Sequence, residues 1–128
     1  MRARISIAVI GVLAALALVA GPAANAATDI HQATLKGSTS YPAVDGKAKF
    51  SRDDGVRQLE AQIEDANALA GRKVNFRVNG LTVGTATVNN LGTARIDKAG
   101  SVVPNVTAGS TIRVKRPNGV LVASGRLS

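Results

Sequence analysis

The sequence contains no cysteine, one histidine and three aromatic residues, which are Tyr41, Phe50 and Phe76. Without cysteine, no disulfide can hold the fold together. One histidine without cysteine cannot supply the tetrahedral nitrogen and sulfur ligands of an ordinary zinc site. So few aromatic rings also argue against stacking on the bases of single-stranded nucleic acid. The core must therefore be built from Val, Ile, Leu and Ala, which suits the packing of β-sheets.

The sequence begins with a basic start and an apolar run over residues 5–20, followed by a Gly-Pro step and Ala24-Asn25-Ala26. This is the layout of a secretory signal peptide with a small-x-small cleavage site, and its richness in alanine is typical of bacteria. The alternative is a membrane anchor, but the run is shorter than the roughly 18 apolar residues of a spanning helix. We therefore expect secretion or export to the envelope, cleavage after Ala26, and no transmembrane anchor in the mature chain.

The remaining residues, 27–128, are enough for one domain and too few for two. The full sequence has a net charge of +8, and +6 remains when Arg2 and Arg4 leave with the signal peptide. Outside the cell membrane, a surplus of this size favours anionic polymers or membrane surfaces as partners. The alternative is that the charge only keeps the protein soluble.

Residues 47–70 fit two different structures. Val56, Leu59 and Ile63 have the spacing of one face of a helix. The segment also fits a hairpin around Asp53-Asp54-Gly55, because apolar and polar residues alternate on both sides of that turn. The hairpin would form four cross-strand pairs: Arg52–Arg57, Phe50–Leu59, Lys49–Glu60 and Ala48–Ala61. Apolar pairs would then share one face and an ion pair the other, which favours the hairpin. A helix stays the alternative for residues 56–70.

The segment from residue 73 to residue 92 contains no carboxylate and alternates like paired strands. Asn79-Gly80 is a strong signal for a two-residue type I′ hairpin turn, which would place Phe76 opposite Val83. The apolar phase shifts after Gly84, so we predict a β-bulge there. This segment is therefore interpreted as scaffold rather than as a site.

Four further segments show the alternation of short strands: residues 30–36, 93–97, 111–116 and 120–127. Seven or eight short antiparallel strands in about a hundred residues are typical of a β-sandwich or a small barrel. The predicted fold class is therefore all-β, with a single sandwich domain over residues 27–128 and a barrel as the alternative.

Two stretches, KVNFRVNGLTVGTATVNNLGTARID at residues 73–97 and VTAGSTIRV at residues 106–114, resemble bacterial immunoglobulin-like modules of exported proteins. The resemblance implies an immunoglobulin-like or Greek-key β-sandwich. Its residues are structural, so it implies no active site. Such modules usually occur in tandem arrays on adhesins and surface enzymes, whereas this chain contains one unit.

Catalytic, cofactor and metal sites are not indicated by the sequence. His31 is the only histidine, and no serine lies in a recognisable nucleophile motif such as GxSxG. Asp53-Asp54-Gly55 could supply oxygen ligands to calcium, but it lacks the regular spacing of a calcium loop and suits a hairpin turn. We therefore predict that the protein is not an enzyme.

Basic residues at alternating positions are the remaining functional signal. Arg77, Arg95, Arg113 and Lys115 are all predicted to point away from the core, and together they would form a basic face if their strands share a sheet. Such a face would bind an anionic envelope polymer weakly, with strong salt dependence. We expect a small non-enzymatic binding or structural module of the bacterial envelope or extracellular space. The alternative is an inhibitor or accessory subunit of a secreted enzyme, which would present residues 102–110 to that protein.

Overall fold

The computed structural model describes residues 28–128, with the exception of the side chain of Thr28. The predicted signal peptide, residues 1–26, lies outside these residues. Eight strands make up the fold: β1 (Thr28–Gly37), β2 (Asp45–Asp53), β3 (Val56–Glu64), β4 (Lys73–Val78), β5 (Leu81–Thr87), β6 (Ala94–Ala99), β7 (Thr111–Lys115) and β8 (Leu121–Arg126). A single 3₁₀ turn, Asn67–Leu69, follows β3. Within residues 28–128, no helix is long and apolar enough to cross a membrane.

All eight strands belong to one antiparallel sheet with the order β5-β4-β7-β8-β1-β2-β3-β6. The two edge strands, β5 and β6, are consecutive in the chain and lie beside each other, so the sheet is nearly closed. The prediction of an all-β chain with seven or eight short antiparallel strands is confirmed. Closure makes one inner face, and that face contains the core.

The segment that fitted both a helix and a hairpin forms the β2–β3 hairpin. The observed register pairs Arg52 with Arg57, Lys49 with Glu60, Phe50 with Leu59 and Ala48 with Ala61. These are the four predicted pairs, so the hairpin is confirmed and the helical alternative for residues 56–70 is wrong. Asp54 and Gly55 both have positive φ, as a type I′ turn requires.

Small aliphatic side chains and two phenylalanines fill the inside of the sheet. Phe50 on β2 and Phe76 on β4 are both completely buried, while Tyr41 only packs against the edge of the core. The remaining core residues are Val, Leu, Ile and Ala, as the composition required. Inward residues alternate with polar residues along each strand, so the outer face carries nearly all of the charge.

The predicted irregularity in β5 is present, but its register differs from the expectation by one residue. Phe76 lies opposite Gly84 and Arg77 lies opposite Thr82, so Val83 is the extra residue of the bulge. The prediction that Phe76 faces Val83, which assumed an uninterrupted two-residue turn, is therefore wrong. Because of the bulge, the consecutive residues Val83 and Gly84 are both buried, whereas a regular strand would point them to opposite faces.

Gly84 also explains how β5 and β6 meet. A Cβ atom at this position would lie 3.0 Å from Cε of Lys98 and 3.1 Å from Cγ2 of Ile96. Among the described strands, β5 and β6 form no ladder with each other, so side chains close this side of the sheet. Among the described strands, β5 alone has no charged residue, and Cε of Lys98 lies close to Gly84 in its middle. A lysine beside an edge strand disfavours the pairing of that edge with another chain.

The β4–β5 turn provides a first test of the fold. Asn79 has φ of 49°, its Oδ1 accepts from the Thr111 backbone N–H at 3.0 Å, and its Nδ2 donates to Ser110 Oγ at 3.2 Å. Asn79→Ala should therefore lower the free energy of unfolding by about 2 kcal/mol, since it removes two hydrogen bonds and puts alanine in a left-handed conformation. Urea denaturation would measure the loss. The control is Asn90→Ala in the exposed β5–β6 turn, and equal stability of the two variants would contradict this role for Asn79.

Candidate anion-binding surface

Charge is divided between two halves of the sheet. The basic half consists of β5, β4, β7 and β8 with their adjoining turns, residues 70–88 and 107–128, and the mixed half is the rest of the described chain. The basic half contains seven Lys and Arg residues and no Asp or Glu. The mixed half contains seven Lys and Arg residues and all eight carboxylates of the sequence. The positive surplus of the folded domain therefore lies entirely on one side.

Two arginines face each other at the centre of the basic half. Arg77 on β4 pairs directly with Arg113 on β7, and both are on the outer face of the sheet. Lys115 is the next outward residue of β7, opposite Asn75. Neighbouring strands are about 4.8 Å apart, and like charges directly opposite each other destabilise a sheet. The sheet therefore contains a repulsive pair of charges that uncharged side chains at these two positions would not create.

A second arginine pair in the same sheet shows how such a cost can be offset. In the mixed half, Arg52 lies opposite Arg57, but Nη2 of Arg52 is 2.8 Å from Oδ2 of Asp29, and its Nη1 donates to Oδ1 of Asn105. Arg77 instead donates from Nη2 to the Gly80 carbonyl oxygen at 2.5 Å, which leaves its charge in place. Asp29 is the only carboxylate that forms ion pairs among residues 28–128. The charges of Arg77 and Arg113 are therefore uncompensated.

The predicted basic face is assembled only in part. Arg77, Arg113 and Lys115 come together on β4 and β7, whereas Arg95 lies on β6 opposite Gln62. Arg95 is thus in the mixed half, and the whole of β5 separates it from β4. Alternation correctly placed Arg95 on the outer face, but it carries no information about which strands are neighbours.

Two cations of the basic half, Arg72 and Arg116, were missed because they lie in turns next to β4 and β7. Arg72 is exposed. Arg116 is half-buried, donates from Nη1 to the hydroxyl of Tyr41 at 3.1 Å, and has a buried Nε without a partner in the described residues. A signal for both was available, because Asp97 is the only carboxylate after Asp65. Counting charge by segment would have shown the partition.

His31 lies at the end of the sheet that carries the β2–β3 turn. Its Nε2 is 3.2 Å from Oδ1 of Asp29, and its Nδ1 is hydrogen-bonded to the main-chain oxygen of Ser128. Its side chain is 15% exposed, and its ring centroid is 6.0 Å from that of Phe50. Both ring nitrogens thus contact structural oxygens, and neither contacts a hydroxyl nucleophile. This arrangement joins β1 to the last residues of the chain.

One depression in the described part of the chain is lined by other polar groups. A shallow depression on the outer face of β2 and β3 is lined by Lys49, Ser51, Gln58 and Glu60, whose charges cancel. Within residues 28–128, no group of three or more potential metal ligands comes together, and Asp53 and Asp54 are exposed in their turn. Comparison with protein-family models and with curated proteins gives no match. The uncompensated cations of β4 and β7 are therefore the feature on which a function can be based.

Proposed function

We propose that this protein is a small, exported, non-enzymatic module that binds an anionic polymer of the bacterial envelope or extracellular space through its basic half. The observation that carries the proposal is the Arg77–Arg113 pair, in which neither arginine has a carboxylate partner of the kind that Asp29 provides for Arg52. A bound polyanion would remove that repulsion. Export is supported by the signal-peptide pattern of residues 1–26, and a relation to immunoglobulin-like modules by the resemblance over residues 73–115.

Binding of this kind depends on charge rather than on shape. When Lys and Arg neutralise a polyanion, they release counterions, so the logarithm of the binding constant falls linearly with the logarithm of the salt concentration. Arg77, Arg113 and Lys115 lie on regular strands, so their positions are fixed before the ligand arrives. The guanidinium groups suit phosphate or sulfate because their N–H groups match two oxygens at once.

Charge reversal on the two halves tests the proposal with matched variants. The Arg77→Glu/Arg113→Glu protein should lose binding to long-chain polyphosphate, with the salt slope lowered by about two as two contacts disappear. The control, Lys47→Glu/Arg95→Glu, changes the net charge equally on either side of Gln62 in the mixed half. Calorimetry at salt concentrations from about 50 to 200 mM gives both slopes.

Each outcome of this comparison has a different meaning. Loss confined to the Arg77/Arg113 variant supports the basic half as the binding surface. An equal loss in both variants would mean that only net charge matters, and retention in both would overturn the proposal. Urea denaturation of each variant should show that the fold is kept, since the exposed outer face tolerates substitution.

The exposed connection before β7 supports a second candidate, an inhibitor or accessory subunit of a secreted enzyme. Val103 and Val106 anchor this connection in the core, and Asn105 accepts a hydrogen bond from Arg52, while Val102 is exposed. A loop held in this way loses little entropy on binding. Capture of one secreted protein that survives high salt and is lost on Val102→Asp would favour this candidate.

A further inference from the structure

We infer that the bound polymer lies lengthwise along the ladder of β4 and β7, and that it is a linear chain with several closely spaced phosphate groups. This inference rests on the proposed function, because it describes how the same surface holds its ligand. The charge partition alone determines neither the direction in which the polymer lies nor its chemical class.

The cations of the basic half follow the strand direction. Four of the seven, Lys73, Arg77, Arg113 and Lys115, lie at outward positions of β4 and β7, and Arg72 and Arg116 adjoin these two strands at their common end. Arg72, just before β4, and Arg77 on β4 are five residues apart, which corresponds to about 17 Å of extended chain. No carboxylate interrupts this track, and its other outward positions on the two strands are Asn75 and Thr111.

A path across the strands is less favourable. From Arg113 the outward neighbours are Ser124 on β8 and then Lys36 on β1, so the next cation is two strands away. Beyond Lys36 the row meets Asp45 and Glu64, which lie directly opposite each other on β2 and β3. A polyanion crossing the strands would therefore reach a pair of carboxylates that repels it, whereas the lengthwise track leads to further cations beside Lys73 and Lys115 and meets no carboxylate at its other end.

The side chains along the track also define the class of ligand. Phe50 and Phe76 are buried, and Tyr41 is half-buried and bonded to Arg116, so the described residues offer no free ring for stacking on a base or a sugar. No exposed large apolar side chain lies on β4 or β7, so the track lacks the apolar residues with which peripheral proteins enter a membrane. The track would therefore recognise its ligand through the charge and the geometry of the phosphate groups.

Two lysines provide a matched test of direction. Lys73 and Lys36 are both exposed: Lys73 lies on the track, four residues along β4 from Arg77, and Lys36 lies on the row that crosses the strands through Arg77 and Arg113. Binding of long-chain polyphosphate is measured for the Lys73→Gln and Lys36→Gln variants. Lys73→Gln should lower the salt slope by about one and weaken binding several-fold at low salt, and Lys36→Gln should leave both unchanged.

The opposite ranking would overturn the lengthwise placement, and so would equal effects of the two variants. Either result, combined with loss of binding in Arg77→Glu/Arg113→Glu, would leave the proposed function standing. Retained binding in that double variant would instead remove the proposed function itself.

Further ligands test the ligand class. Tripolyphosphate should bind much more weakly per molecule than long-chain polyphosphate, because it is too short to reach both ends of the track. Vesicles of anionic phospholipid that bind as tightly as the polymer, with the same dependence on Lys73, would overturn the assignment of a linear chain. Equal binding of polygalacturonate, which carries carboxylates, would overturn the preference for phosphate.

Discussion

Replacement of Gly125 by alanine is expected to lower the free energy of unfolding by about 3 kcal/mol, which is as much as severe overpacking usually costs. The added Cβ would lie closer than 3.0 Å to the backbone carbonyl oxygen of Thr34 and 3.0 Å from Cδ2 of Leu35. Backbone on β1 cannot yield in the way that a flexible side chain can, so β8 would have to move away from β1. Those two strands form the junction between the basic half and the mixed half.

Urea denaturation of Gly125→Ala and of Ser124→Ala measures this effect. Ser124 is the adjacent residue of β8 and is half-exposed on the outer face, so its replacement should change stability by less than about 0.5 kcal/mol. Similar stability of the two proteins would show that β1 and β8 are not held as closely as the structure places them.

Truncation of Phe76 should have a still larger effect. Phe76 is completely buried at the centre of β4, between Gly84 of β5 and Val114 of β7, and it is one of only two core aromatics. Phe76→Ala should cost about 3–5 kcal/mol, a large part of the roughly 5–15 kcal/mol that stabilises an ordinary domain. Its cross-strand neighbours Gly84 and Val114 are small, so they cannot easily fill the cavity that the truncation leaves.

The matched control for Phe76→Ala is Leu81→Ala on the neighbouring strand, because Leu81 is 61% exposed and its truncation leaves no cavity. Thermal and urea unfolding should separate the two proteins clearly. If Phe76→Ala retained nearly full stability, the core would have to be packed differently from the arrangement of β4, β5 and β7 seen in the structure.

Local pairing was the part of the fold that the sequence predicted best. The β2–β3 hairpin followed from one physical constraint, because a register that joins Phe50 to Leu59 also joins Lys49 to Glu60. A helix would not explain why the residues on both sides of the turn alternate in compatible phase. The Asn79-Gly80 turn was equally clear, because few residues other than asparagine and glycine accept positive φ.

Strand order was not predictable in the same way. Alternation determines whether a residue such as Arg95 points outward, but it does not determine whether its strand lies next to β4 or at the far edge of the sheet. For the same reason, the pattern did not distinguish a sandwich from the nearly closed sheet. The bulge was anticipated from the phase shift, but a phase shift does not determine which residue of β5 is left unpaired.

The partition of charge has a consequence for how the molecule moves before it binds anything. With the positive surplus on β4, β7 and their neighbours and every carboxylate on the other side, the domain carries a permanent electric dipole across its width. In the field of a polyanion, such a dipole turns the basic half towards the ligand during diffusion, so a larger fraction of collisions is productive. Added salt shortens the range of that torque to roughly 10 Å or less, and the association rate should fall before the dissociation rate changes.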